Sequence, residues 1–191
     1  MCHRFLSSPS FLLLLLAIDR DLAEKVRGQG CPCGGRLHAA NYPRKPRGGA
    51  SCTDPDFSLR LSFCCDVDGC RCRSTPPSVR FLGRRIYLGV MVVFITAMRQ
   101  GPSARGTAAL QERFGVDRRT LARWQSWWKD IFPASRFWKV ARARCAPLVK
   151  GTELPRTIFE AFRAETMERM AALLRFLSPL GGSPRFELQV F

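Results

Sequence analysis

Apolar and polar positions follow two different rhythms along this chain. From about Ser10 to Arg27 the apolar residues crowd the first half, Phe11–Ile18 (FLLLLLAI). They then thin to Leu22, Ala23 and Val26, spaced between Asp19, Arg20, Asp21, Glu24, Lys25 and Arg27. That spacing predicts a single helix, apolar first and amphipathic later. Phe57–Phe63 (FSLRLSF) keeps a rhythm of two instead. Phe57, Leu59, Leu61 and Phe63 share one side, and Ser58, Arg60 and Ser62 the other, predicting a strand that runs into Cys64 and Cys65. Between these elements Asn41–Ala50 (NYPRKPRGGA) is rich in proline, glycine and basic residues and predicts an electropositive loop. The paired prolines of Thr75–Ser78 (TPPS) end the region, because they continue neither a ladder nor a helix.

From Val79 onward the rhythm is helical. Val79–Met98 predicts a long apolar helix, and its core Ile86–Met98 is shorter than the roughly 20 residues a bilayer needs. It is therefore expected to be a buried helix. Gln100–Gly106 reads as a linker. In Thr107–Lys129 a short helix carries Leu110 and Phe114, Gly115 stops it, and Asp117 caps the next helix. There Leu121 and Trp124 face inward, while Arg118, Arg119, Arg123 and Ser126 face outward, the layout of a helix-turn-helix. Gln111 stands where that motif usually has a small alanine, and a plain helical hairpin with a solvated basic face is the alternative. Trp124 and Trp128 are expected in the core, with Trp127 at its margin.

Pro133 is expected to end this helix. Ala134–Ala146 predicts another, with Phe137, Trp138, Val140 and Ala141 inside and Arg136, Lys139, Arg142 and Arg144 outside. Thr157–Phe162 and Ala164–Leu177 follow. The stripe Met167, Met170, Ala171, Leu174 and Leu177 has helical spacing and serves packing or a partner surface, and Gly181–Phe191 reads as a frayed tail. The fold class expected is mainly α, a small N-terminal β-hairpin zinc ribbon followed by a helical helix-turn-helix domain. The segments are an N-terminal helix (1–28), a ribbon-like region (29–78), the helix-turn-helix domain (79–150), and C-terminal helices with the tail (151–191).

Charge changes the picture from a fold to a partner. The 191 residues carry a formal net charge of +16, which suits a polyanion, DNA or RNA before an anionic membrane surface, and duplex DNA is the expected partner. The expected contacts are Arg118, Arg119, Thr120, Arg123, Ser126 and Lys129 on the second helix. To these a phosphate-gripping belt adds Arg44, Lys45, Arg47, Arg84 and Arg85, with Tyr42, Arg71, Arg73 and Arg80 beside it.

Nine cysteines supply the candidate chemistry. Cys31 and Cys33 form one group and Cys64, Cys65, Cys70 and Cys72 another, while Cys2, Cys52 and Cys145 stand apart. An odd total in tight pairs, with no small-residue cleavage site after Phe11–Ile18, reads as reduced thiols serving a metal. Zinc takes four such ligands from two close pairs that a hairpin brings together. The preferred set is Cys31, Cys33, Cys65 and Cys70, with Cys64 and Cys72 as substitutes and His38 behind them. One residue between Cys31 and Cys33 is tighter than the usual two. Such a site is structural, since four protein ligands leave no open position. Catalysis finds little support: His3 and His38 are the only histidines, none of the carboxylates after the ribbon stands at the end of an apolar strand, and no glycine-rich phosphate loop exists.

Three runs carry a resemblance: CPCGGRLHAANYPRKPRGG, FCCDVDGCRCRSTPPSVRFLGRRIYLGV and VDRRTLARWQSWW. Over about residues 20–180 the chain resembles small bacterial proteins associated with insertion-sequence transposases, which have an N-terminal zinc ribbon and a helix-turn-helix. The resemblance implies that Cys31, Cys33, Cys65 and Cys70 match the ligand positions and that Arg118–Lys129 matches the DNA-reading helix. The chain departs from the pattern in its short first cysteine pair and in lacking an acidic-triad recombinase domain. The function expected is therefore mobile-element DNA binding without catalysis by this chain alone. A separate transposase subunit would be a second partner, in the bacterial cytoplasm with the nucleoid and away from the membrane. The rivals are a degenerate transposase or nuclease subunit cleaving strands with a metal, and a membrane or partner adaptor using Phe11–Ile18 and the methionine stripe.

Overall fold

The computed structural model describes residues 8–44, 54–81, 117–145, 156–162 and 165–183, together with Ala108, Glu112 and Leu154. Helix α1, Pro9–Gln29, starts with proline at its first position, where a missing N–H costs no bond. Its inward face carries Phe11, Leu12, Leu15, Leu16 and Ile18 into the main core. Its last turns carry Ala23 and Val26 onto a second, smaller core with Cys31, Leu37, Phe63 and Cys65. One helix thus serves both cores, as the change from an apolar to an amphipathic pattern requires.

Among the described residues five short strands follow: β1 Leu37–Ala39, β2 Tyr42–Pro43, β3 Leu59–Arg60, β4 Phe63–Cys65 and β5 Arg73–Ser74. All pairs are antiparallel, in a three-stranded sheet of order β1-β4-β5 and a two-stranded sheet β2-β3. The single strand expected over Phe57–Phe63 is therefore divided. Pro55–Ser58 is a 3-10 turn capped by the Asp54 carboxylate, which accepts the Asp56 N–H. Asn41 Oδ1 then takes the Ser62 N–H at 3.0 Å, so a side chain replaces a ladder bond where the chain changes sheets. The alternation breaks there too. Arg60 and Ser62, expected on the polar side, are buried.

Helix α2, Arg118–Ser126, begins at Asp117, whose Oδ1 accepts the Thr120 N–H at 2.6 Å. It does not stop before Pro133. A π-helical turn, Trp127–Ile131, leads into α3, Phe132–Ala134, and the Phe132 N–H reaches back five residues to the Trp127 carbonyl. A wider turn moves carbonyls away from the proline ring, which would clash in a regular α-helix. Helices α4 (Arg136–Cys145), α5 (Arg156–Ala161) and α6 (Thr166–Leu177) complete the scaffold, with a 3-10 turn Ser178–Gly181 at the end. Trp124, Trp128, Phe132, Phe137, Trp138, Met170, Leu174 and Leu177 form the main core with the leucines of α1. Val140, expected inside, is exposed, as is Met167 at the start of the methionine stripe.

The segment Ser78–Phe81 is not the start of a helix but a bent, fully buried strap. Asp19 of α1 holds it: Oδ2 accepts Ser78 Oγ at 2.6 Å and Arg80 Nε at 2.7 Å, and Oδ1 accepts the Val79 N–H at 2.6 Å. Arg80 spends three further donors on the carbonyls of Asp56, Phe57 and Leu59. The end of the described chain closes over the strap. Ser183 donates its N–H to Thr75 O and accepts the Thr75 N–H, and Arg60 donates to the Pro76 and Gly181 carbonyls. A Cβ at Gly181 would lie 2.6 Å from the Phe81 carbonyl, so only glycine permits the contact. Residues 181–183 are docked rather than frayed. The expected helix over Ile86–Met98, the linker over Gln100–Gly106, and Leu110, Gln111 and Phe114–Val116 lie outside the described residues.

Candidate functional site

Four sulfurs meet where α1 ends against the three-stranded sheet. Cys31 follows Gly30, the C-cap of α1, and its N–H donates to Gly35 O while its carbonyl accepts the Gly34 N–H, each at 2.9 Å, closing a tight turn. That turn presents Cys31 and Cys33 together despite the single residue between them. Cys65 is the last residue of β4, and a turn through Val67 brings Cys70 back, its N–H donating to the Val67 carbonyl. The Sγ atoms of Cys31, Cys33, Cys65 and Cys70 all lie within 4.8 Å of one another. Cys31–Cys70 is 3.8 Å and Cys33–Cys65 is 3.5 Å. Four thiolates at about 2.3 Å from one zinc ion stand about 3.8 Å apart, so the cluster has the size of a metal tetrahedron. The residues fit the group.

The backbone around the sulfurs supports the same reading. A Cβ on Gly35 would stand 2.6 Å from Cys65 Sγ, so glycine lets the first turn approach the sulfur of the second. The Gly35 N–H, then the Cys70, Cys65 and Cys31 thiols, stabilise the Cys33 thiolate and draw its pKa down to about 7. At Cys65 the Val67 N–H favours the thiolate, but desolvation and the neighbouring thiols outweigh it and push the thiol up to about 12. At Cys70 the Cys72 N–H is likewise outweighed by Cys33, burial and Cys31, and the thiol is raised. Four anionic sulfurs at this spacing need a cation among them; metal binding supplies it by displacing the protons.

The three substitutes fall outside. Cys64 and Cys65 are neighbours on one strand and so point to opposite faces; Cys64 Sγ lies 3.6 Å from the Arg71 carbonyl instead. Cys72 Sγ, exposed, is 4.0 Å from the Arg73 carbonyl. His38 pairs across the sheet with Cys64 and points its Nε2 at Asp66 Oδ2, 3.4 Å away. Desolvation opposes ionisation of Asp66, but the His38 contact and the Arg36 N–H prevail and hold it below the usual carboxylate range. Among the described residues no other group of three or more such side chains is close enough to hold a metal.

The basic residues are divided between surface and core. Arg118, Arg119, Arg123, Ser126 and Lys129 are exposed on α2 and the turn after it, opposite Leu121, Trp124 and Trp128. Thr120, expected beside them, is buried, because its position shares the helix face of Leu121 and Trp124; its Oγ1 accepts Arg123 Nη2 at 2.9 Å. The acids nearby are occupied: Asp117 caps α2, and Asp130 accepts Ser126 Oγ at 2.9 Å. Arg136, Lys139 and Arg142 are exposed on α4.

Of the belt, Arg44 is half-buried over the Phe81 ring, its pKa lowered by that burial, and Arg80 is sealed against Asp19. Arg73 reaches the Ala40 carbonyl and stacks on Tyr42, and Arg71 is exposed in a left-handed turn at φ 40°. Lys45, Arg47, Arg84 and Arg85 lie outside the described residues.

Sequence reasoning missed Arg60 and the Asp19–Arg80 pair. Burial draws the pKa of Arg60 down to about 10. Asp19 was detectable: it falls in the helical register of Leu12, Leu15, Leu16 and Val26, a stripe that faces inward. Compared with models of known protein families, with curated proteins and with solved structures, the chain gives no match. Among the described residues no helix is long and apolar enough to cross a membrane.

Proposed function

We propose that this chain is a zinc-ribbon protein that binds duplex DNA through a helix-turn-helix whose reading helix is α2. One observation carries the reading. Arg118, Arg119, Arg123 and Lys129 are exposed along one continuous helix whose other face is anchored in the core by Leu121, Trp124 and Trp128. A rigid helix with cations on its outer side suits a major groove, where guanidinium groups reach guanine edges and phosphates. Arg136, Lys139 and Arg142 on α4 add phosphate contacts.

The four cysteines would take zinc, which all-thiolate tetrahedral sites of this size suit. With four protein ligands the ion has no open position for a water, so it holds the ribbon and does not hydrolyse a strand. That the duplex belongs to a mobile element, and that a separate transposase subunit does the cutting, rests on the resemblance of the residue runs. Arg119→Ala and Arg123→Ala test the reading helix by fluorescence anisotropy with a duplex library. Each variant should keep the fold by circular dichroism, bind duplexes about tenfold more weakly, and reduce the salt slope by about one. Wild-type affinity in both variants would reject α2 as the reading helix.

A further inference from the structure

We propose that two copies of this chain pair through a groove between α1 and α6, with the two α6 helices antiparallel about a two-fold axis beside Ala171. This inference is independent of the DNA-binding reading. The groove, about 490 Å³, is lined by Phe11 and Leu14 of α1 and by Met167, Glu168, Ala171 and Arg175 of α6.

The apolar pattern is the first argument. The early turns of α1 are apolar all round, a pattern that calls for cover on every side. The inner side meets the core, yet Leu13 and Leu14 are 42% and 45% exposed, and Met167 across the groove is 48% exposed. Among the described residues nothing covers this outer face.

The charges at the groove choose the occupant. Glu168 and Arg175 both line it and lie two helical turns apart, about 10.5 Å along the axis. They bracket Ala171 and Ala172. A two-fold rotation through that midpoint sets Glu168 of each copy against Arg175 of the other, forming two ion pairs by symmetry. The face is self-complementary, as an isologous interface must be. Ala171, 5% exposed, forms the floor of the groove between the two charges. The antiparallel arrangement also brings the acidic first turn of one α6 to the basic last turn of the other, in accord with their dipoles. A polyanion or an anionic bilayer gains nothing here, because the groove's two charged side chains cancel. Leu14 and Met167 supply the drive for association, and the ion pairs set its orientation.

Sedimentation velocity on the full chain, from about 1 to 100 μM, tests the pairing, since an association of this kind depends on concentration. A reversible monomer–dimer equilibrium is expected. Glu168→Arg and Arg175→Glu should each weaken the dimer by about tenfold or more, through like charges facing each other twice. The combined variant, with the charges exchanged, should return to within about threefold of wild type. A monomer at every concentration overturns the proposal. So does a dimer indifferent to either single reversal, or one that the double reversal fails to restore. Flotation with phosphatidylserine vesicles, lost in Leu14→Gln, would assign the groove to lipid and likewise overturn it.

Discussion

Arg80 donates Nε to Asp19 Oδ2 at 2.7 Å with both side chains sealed from water. This contact ties the middle of α1 to the strap at residues 78–81. Every oxygen of the carboxylate is satisfied, Oδ2 by Ser78 and Arg80 and Oδ1 by the Val79 N–H. A buried pair so fully bonded has little net effect compared with apolar replacements, but losing one partner strands the other.

Asp19→Asn should therefore destabilise the chain by about 3–5 kcal/mol in urea unfolding, because Arg80 keeps its charge without a counter-ion. The paired variant Asp19→Leu with Arg80→Met should cost less than the sum of the two single changes. A loss below about 1 kcal/mol for Asp19→Asn would mean that the pair is not buried as described.

Gly35→Ala should loosen the metal site without touching a ligand. Its new methyl would meet Cys65 Sγ at 2.6 Å and push apart the two turns that bring the sulfurs together. Metal affinity measured by chelator competition should fall about 10–100-fold, the range for outer-shell changes. Unchanged affinity would place the two turns further apart.

Elemental analysis should distinguish the six described cysteines. Cys64→Ser and Cys72→Ser should each retain the metal at the wild-type ratio, one ion per cluster of four sulfurs. Cys33→Ser or Cys65→Ser should lose most of it, since zinc prefers four thiolates to three. Retention in Cys65→Ser together with loss in Cys64→Ser would exchange the faces of β4.

Asp117 makes α2 sensitive to acid. The Thr120 N–H, with its hydroxyl and the positive charge of Arg123 adding to it, holds the carboxyl below the usual carboxylate range. A pKa depressed by folding contributes stability that is fully present above the unfolded value of about 4 and is lost as pH falls through the folded one. Asp117→Ala should lower the melting temperature at pH 7 by about 2–4 °C. The difference between the two proteins should shrink as pH falls below about 4, the unfolded value, toward the lower folded one. A difference that persists undiminished at low pH would show that the carboxylate is not the cap.

The cysteine cluster was legible because thiols in close pairs admit few interpretations, and strand alternation already separates Cys64 from Cys65. Trp124 and Trp128 were legible for a similar reason: four residues apart, they share a helix face with Leu121. The buried charges were not. Arg60 and Arg80 look like surface cations in a chain this basic, and what buries them are carbonyls brought from elsewhere, Pro76 and Gly181 for one and Asp56, Phe57 and Leu59 for the other. The break in Phe57–Phe63 depends on the Asn41 side chain, and the helix passes Pro133 through a widened turn. Both are tertiary or backbone solutions that a one-dimensional pattern does not encode. Of the expected first helix of a helix-turn-helix only Ala108 and Glu112 are described, both helical, so α2 is the part of that proposed motif on which the reading rests.

The most direct test of the account is a salt series of duplex binding by the wild-type chain. Equilibrium affinity for a random duplex, followed by anisotropy from about 50 to 200 mM salt, should fall linearly on a log–log plot with a slope of several phosphate contacts. Failure to bind any duplex at the lowest salt would contradict the account outright, however well the metal cluster and the fold were borne out.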